Sequence, residues 1–211
     1  RNTKQELESY LTELAHESAD FFRPNLWVNT PDILTEYLQF GGHPAFKIRA
    51  ALAATAAPSW GMYAGFELFE AVARPGAEEN IDNEKYQYRP RDWAGAAKAK
   101  RTLAPYISKL NEIRAQHPAL RQLRNLELHW SDDQAILAFS KHLPAKFTET
   151  GKPDTILVIA NVDPHAVRET TVRLDPTKFG VPHDARFDVT DLITGQQFQW
   201  SIKNNFKKYE F

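Results

Sequence analysis

The sequence contains no cysteine, which excludes a disulfide framework and a thiolate metal site and is compatible with a reducing compartment. An excess of charge of either sign is also missing: 26 Lys and Arg against 27 Asp and Glu leave a formal net charge of −1. Without a global field there is no electrostatic footprint for nucleic acid or an anionic membrane, and neither is expected as a partner. Long hydrophobic runs are lacking too. The longest candidate, the Ala-rich "AALAATAA", falls far short of the roughly 18 to 20 residues needed to span a bilayer. The N-terminal stretch has no signal-type apolar segment. The seven histidines include no His-x-x-x-His pair, and there is neither a Gly-rich phosphate loop nor a Ser nucleophile elbow. No metal and no cofactor is expected, and the expected location is cytoplasmic.

What is present suffices for packed cores: 211 residues, 42% of them hydrophobic, with thirteen Phe, five Trp and seven Tyr. Thirteen prolines supply rigidity. The opening stretch "RNTKQELESYLTELAHESAD" sets Leu7, Tyr10, Leu11 and Leu14 on one helical stripe. It begins at Arg1 without Met, and the chain reads as part of a longer protein.

Hydrophobic period divides the chain. In the first part "NLWVN" reads as a short strand, and Thr30-Pro31-Asp32 reads as a helix start with Thr30 as N-cap and Pro31 at N1. Gly41-Gly42 breaks that helix. "HPAFKIRAALAATAA" then forms another, burying Ala45, Ile48, Leu52 and Ala56. "PSWGMYAGFEL" reads as a second strand in which Gly61 and Gly65 mark a bend or close approach, with Glu67 and Glu70 at its end. A long loop from Phe69 to Trp93 follows, and then a helix with Pro105 in its first turn and Ile107, Leu110 and Ile113 along its length.

Beyond about residue 119 the period becomes two. "LELHW", "AILAFSKHL", "TILVIANV", "ETTVRL", "RFDVTDLI" and "QQFQWSI" are six strand candidates. The fold class expected is α/β followed by all-β: residues 1–118 an α/β segment, residues 119–211 an antiparallel β-sandwich domain. Two strands are too few for the long apolar helices around them. A (β/α)8 barrel takes roughly 250 residues, so the first segment is expected to be the last part of a TIM barrel.

Asp32 carries two readings that can hold together. As a helix-start acid it complements the helix dipole. As a carboxylate directly after a parallel strand it faces the mouth of a barrel site, where strand C-termini converge. In the loop, Lys85 and Tyr86 read locally as a snorkelling Lys and a packing Tyr, and Arg74, Arg89 and Arg91 as partners of neighbouring acids such as Glu78, Glu79 and Asp92. In the last segment Trp130, Phe198 and Trp200 read as core residues, with a sugar platform as the alternative if they are exposed.

The stretch "LWVNTPD" resembles the seventh-strand motif of the α-amylase family, glycoside hydrolase family 13, and "APSWGMYAGFE" resembles its eighth-strand motif. "RPNLWVNTPDILTEYLQFGG", "KIRAALAATAAPSWGMYAGFELFE", "DNEKYQYRPRDW" and "FDVTDLITGQQFQW" are similar to the branch of that family that transfers maltosyl units. Pro31 stands where typical amylases carry a His, a departure from simple hydrolases. The resemblance implies strands 7 and 8 of the barrel. It implies a transition-state role for Asp32 and substrate contacts from Lys85 and Tyr86. It also implies a retaining maltosyltransferase that extends α-1,4-glucan from α-maltose 1-phosphate and releases phosphate. The family's nucleophile and acid/base lie on the fourth and fifth strands, upstream of Arg1, so the chain alone is expected to be inactive. The partners implied are α-maltose 1-phosphate, α-1,4-glucan and the upstream half of the barrel, in a homodimeric parent. The alternatives are a fragment of an α-amylase-type hydrolase or phosphorylase, or a carbohydrate-binding module.

Overall fold

A computed structural model of the chain describes residues 2–83, 88–181, 186–201 and 208–210. Helix α1 spans Lys4–Thr12 and continues into a wider π turn over Glu13–Glu17. Its start is fixed by a capping box: the Thr3 side chain accepts from the Glu6 N–H, and the Glu6 carboxylate accepts from the N–H of Thr3 (3.1 Å). Backbone hydrogen bonds from Asn2 and Thr3 hold the Glu6 carboxyl down at about 2. Leu7, Leu11 and Leu14 are buried, as their spacing predicts, and Tyr10 is half-buried.

Strand β1 (Asn25–Trp27) and strand β2 (Ser59–Gly61) pair in parallel, Leu26 opposite Trp60 and Trp27 opposite Gly61. Between them lie α2 (Glu36–Phe40) and α3 (Gly42–Ala56). Apolar residues surround α3 on most sides, so it sits between two cores. One contains Leu34, Leu38, Phe46, Phe66 and Leu110. The other joins Leu7 and Leu11 of α1 and Leu52 and Ala56 of α3 to Leu126, Leu137, Phe139 and Val162. Helices α4 (Trp93–Lys98) and α5 (Ala104–Gln116) follow. Ile107, Leu110 and Ile113 of α5 face inward.

Strands β3 (Leu126–Ser131), β4 (Ile136–Leu143), β5 (Asp154–Asn161), β6 (Glu169–Arg173) and β9 (Lys208–Glu210) form one antiparallel sheet in the order β5-β4-β3-β6-β9. Strands β7 (Arg186–Thr190) and β8 (Gln197–Ser201) form a hairpin closed by Gly195 at φ 80°, a left-handed position that glycine occupies without strain. The six strand candidates are all present, and β9 adds a seventh that the period did not reveal.

Cations from separate elements tie the sheet to the helices. Buried Lys4 donates through Nζ to Ser131 Oγ (2.6 Å) and to the carbonyl oxygens of Ser131 (3.1 Å) and Asp133 (3.3 Å). Arg114 of α5 reaches the carbonyls of Ala54, Ala57 (3.2 Å) and Pro58 (2.6 Å), and Lys141 of β4 reaches those of Ala56 (3.4 Å) and Gln122. Those of Ala54, Ala56 and Ala57 are carbonyls that α3 leaves unsatisfied at its C-terminus, where positive charge is favourable.

Two expectations are corrected here. The helix does not start at Thr30-Pro31-Asp32. Thr30 and Ile33 exchange backbone hydrogen bonds (3.0 and 3.2 Å), so Pro31 and Asp32 occupy the middle of a tight turn, and α2 begins at Glu36. Proline second and Asp third suit a turn as well as a helix start. The second strand is likewise shorter than residues 58–68. It stops at Gly61, because the Tyr63 N–H bonds the Asn29 side chain (2.9 Å) and Gly65 at φ 103° swings the chain into a 3-10 turn over Phe66–Leu68.

Candidate functional site

The C-terminal ends of parallel strands β1 and β2 point the same way, so the segments that leave them lie side by side. Val28 continues the pairing, its N–H donating to the Gly61 carbonyl (3.1 Å). Next, the buried side chain of Asn29 receives the Tyr63 N–H. The turn that carries Asp32 comes directly afterwards. Asp32 is exposed at this end of the sheet, as a strand-end carboxylate must be to meet a ligand.

The turn is held from below by the loop that follows β2. Asn80, 3% exposed, donates through Nδ2 to the carbonyls of Thr30 (2.9 Å) and Pro31 (3.3 Å), and its backbone N–H donates to Pro31 as well (3.3 Å). Two residues earlier, the Glu78 carbonyl accepts from the Leu34 N–H (2.6 Å), and its carboxylate accepts from the Glu36 N–H (2.8 Å). Glu78 thereby satisfies an orphan donor at the start of α2 from outside the helix. Thus Asp32 is set by four backbone groups around it rather than by a helix of its own.

A second set of contacts organises the neighbouring wall. Glu70 accepts from Arg91 Nε (2.9 Å) and Nη2 (3.1 Å), a bidentate fork, and Arg89 approaches the same carboxylate at 3.5 Å. Arg89 also pairs with Asp82 (3.3 Å). The Arg91 side chain is only 9% exposed. Its guanidinium is held more firmly charged than usual, first by its bonds to Glu70, with further help from Tyr63. A side chain at position 65 would run into the Glu70 carboxylate, so Gly65 leaves the space the carboxylate fills. Gly61 plays the matching part beneath Trp27, whose ring lies over it. The close approaches read from both glycines are therefore present. Phe69, at φ 57°, stacks on His43 with ring centroids 3.7 Å apart.

Of the residues singled out in the sequence, Asp32 lies at the strand ends as expected, in a turn and not on a helix. Lys85 and Tyr86 lie outside the described residues. Arg74, Arg89 and Arg91 pair with acids, Arg74 with Glu79 (2.9 Å) as anticipated, the other two with Glu70 and Asp82. Asp92 caps α4 through the Gly95 N–H (2.8 Å). Trp130 is 50% exposed with the Arg173 guanidinium over its ring at 4.3 Å, and Phe198 is 39% exposed, so neither is the core residue its strand spacing suggested. Asn80, Asn29 and Tyr63 were not found by sequence reasoning. A buried Asn in a polar loop has no period to betray it. Among the described residues no group of three or more His, Asp or Glu side chains could hold a metal ion, and no helix is long and apolar enough to cross a membrane.

Residues 128–209 match the family described as GLGE, C-terminal. The chain is 48% identical over 205 residues, 97% of its length, to an alpha-1,4-glucan:maltose-1-phosphate maltosyltransferase of Streptomyces coelicolor, of which it covers 29%. It is 49% identical over 209 residues to the enzyme of the same name from Corynebacterium glutamicum, covering 99% of this chain and 30% of that one. The chain is a homologue of the C-terminal portion of these maltosyltransferases. The Mycobacterium tuberculosis maltosyltransferase, 48% identical over 97% of the chain, agrees. The chain spans less than a third of the length of these curated relatives. Among solved structures, an Anoxybacillus α-amylase superposes with a TM-score of 0.58 at 16% identity, covering 99% of this chain and 43% of that one. A maltogenic α-amylase from Thermotoga neapolitana superposes with a TM-score of 0.54 at 11% identity, covering 100% and 44%. At such identities the likeness concerns fold alone. Helices followed by an antiparallel sheet are shared with those α-amylases.

Proposed function

We propose that this chain is the C-terminal part of a maltosyltransferase that transfers maltosyl from α-maltose 1-phosphate to α-1,4-glucan and releases phosphate. In this reading residues 1–118 are the end of a (β/α)8 barrel, with β1 and β2 as its seventh and eighth strands, and residues 119–211 are the β-sandwich that follows. The observation that carries it is the parallel β1–β2 pair, which delivers Asp32 and the Tyr63–Glu70 segment to one end of the sheet in a chain nearly half identical to named maltosyltransferases.

The chemistry follows from retention. A carboxylate nucleophile upstream of this chain displaces phosphate from C1, and the glucan hydroxyl then displaces that carboxylate, giving up its proton to the acid/base group. Asp32 is neither of these. It accepts hydrogen bonds from sugar hydroxyls in the donor subsite and favours the flattened, oxocarbenium-like ring. Lys85 and Tyr86 contact the maltosyl unit, the ammonium donating to hydroxyls and the phenol ring stacking on a pyranose face. The parent is a cytoplasmic homodimer.

The test is incubation of the full-length protein with maltooligosaccharide and inorganic phosphate. Formation of maltose 1-phosphate is expected. Release of glucose or maltose without consumption of phosphate would instead make the parent a hydrolase and end this reading. Asp32→Ala should lower kcat by about 10²–10³, the loss typical of one transition-state contact. The isolated chain should show no turnover, and any turnover contradicts the assignment of nucleophile and acid/base to the upstream half.

A further inference from the structure

We propose that Glu70 and Arg91 form a positioning pair for the donor subsite, locking the segments after β1 and β2 into one wall. The inference rests on the proposed function for what the wall binds, and on the following contacts for the wall itself.

Asn29, three residues before Asp32, takes the Tyr63 N–H through its buried side chain. Tyr63 lies against the Arg91 guanidinium, whose centre is 5.8 Å from the ring centroid. Arg91 is forked on Glu70, and Glu70 fits only because position 65 has no side chain. The links run without a gap from the Asp32 turn, across the end of the sheet, to the far side of the long loop. Each is a rigid element: a backbone amide, a ring, a planar fork and a glycine turn.

Two observations argue that this pair does more than hold the fold together. Phe69 and Ala71, on either side of Glu70, already pack against the first apolar core, so this segment has an anchor that does not need the fork. Besides, Glu70 takes two guanidinium groups, Arg91 and Arg89, and Arg89 passes the contact on to Asp82. Asp82 and Arg89 pair at 3.3 Å, and Arg91, two residues further on, docks on Glu70 beside the strand ends. A carboxylate with a fork on it fixes orientation as well as distance. Displacements of about 1 Å in a supporting shell can cost 10²-fold in rate, which is the kind of accuracy this arrangement supplies.

The experiment uses the full-length protein and compares Glu70→Gln, Arg91→Lys and Asp32→Ala, measuring kcat and KM for α-maltose 1-phosphate well below each variant's Tm. Glu70→Gln keeps the shape and loses the charge. It is expected to lower kcat/KM at least tenfold, with KM rising by more than kcat falls. Arg91→Lys keeps the charge and loses the fork; its deficit should be smaller than that of Glu70→Gln and of the same kind, and it remains informative if Glu70→Gln fails to fold. The double variant should be no worse than the poorer single one, because both remove the same link. Wild-type kcat and KM in Glu70→Gln and Arg91→Lys, with only Tm lowered, overturn the inference. If that occurs while Asp32→Ala is inactive, the positioning role alone falls. Full activity in Asp32→Ala instead refutes the site itself and the inference with it.

Discussion

The β1–β2 pair and the β3–β4–β5 sheet treat their strands in opposite ways. Strand β4 is buried along nearly its whole length, flanked on both edges by antiparallel partners, with Ile136, Leu137 and Phe139 at 0% exposure. Strand β1 has three residues, one partner, and a Trp27 that is 54% exposed, with Phe21 (83%) and Phe22 (47%) just before it. Parallel strands normally lie within larger sheets covered on both faces, and a two-stranded sheet is marginal alone. The β1–β2 pair therefore takes its packing from the helices around it, through Leu26, Val28 and Trp60, whereas the sheet packs its buried strand into a core that it shares with α1 and α3. A region of that kind suits a binding site, since polar contacts such as the one between Asn29 and the Tyr63 N–H fix the ends of its strands.

The sharpest way to break this contrast is to empty each region of one aromatic side chain. Phe139→Ala should destabilise the chain by about 3–5 kcal/mol, since its ring contributes to the core shared by α1, α3 and the sheet. Trp27→Ala removes a ring that is half-exposed but lies over Gly61, and should cost less, about 1–2 kcal/mol. Urea unfolding followed by far-UV circular dichroism measures both, and equal losses would mean that β1 is packed as well as β4.

A smaller effect probes how the two regions are joined. Burial in the sheet, with a further push from the charge of Arg114, lowers Lys141 to about 7. A lysine lowered in the folded state means that the unfolded chain binds more protons between about pH 7 and its ordinary value near 10.5. Stability contributed through this group must then rise with pH across that window and be lowest below pH 7. The denaturation midpoint is expected to increase from pH 7 to pH 9 by more in the native chain than in Lys141→Met. Identical pH slopes for the two would remove Lys141 as the cause.

Smallest is the cap on α1. Thr3→Ala should cost about 1 kcal/mol, read as a lower denaturation midpoint with the slope unchanged. A larger loss would show that α1 holds the second region's core more tightly than its buried leucines suggest.

The sheet was legible because alternation survives half-burial. "LELHW" and "ETTVRL" each show one apolar face, and their strands lie where the alternation put them. The register of Lys141 was not legible. A Lys within "AILAFSKHL" reads as solvent-facing, and its ammonium finds carbonyls to bind at Ala56 of α3 and at Gln122, both brought against it by the fold. At the site, local chemistry ran out at Thr30-Pro31-Asp32. The triplet satisfies the rules of a helix start and of a tight turn equally, and the choice was made by Asn80 and Glu78, more than forty residues away. Helix α4 was missed because none of its side chains is buried, so no apolar face marks it in the sequence.

The anchor of Lys4 on the Ser131 turn has a consequence for the order in which the protein can be made. Its partner lies 127 residues downstream. At a synthesis rate of roughly 5–20 residues per second, the ribosome needs roughly 6–25 s to supply it. Throughout that interval the leucine face of α1 has no sheet to cover it, so the newborn chain carries an apolar helix in search of a partner. Its fate is decided by what else can shield that face until β3 and β4 emerge from the tunnel.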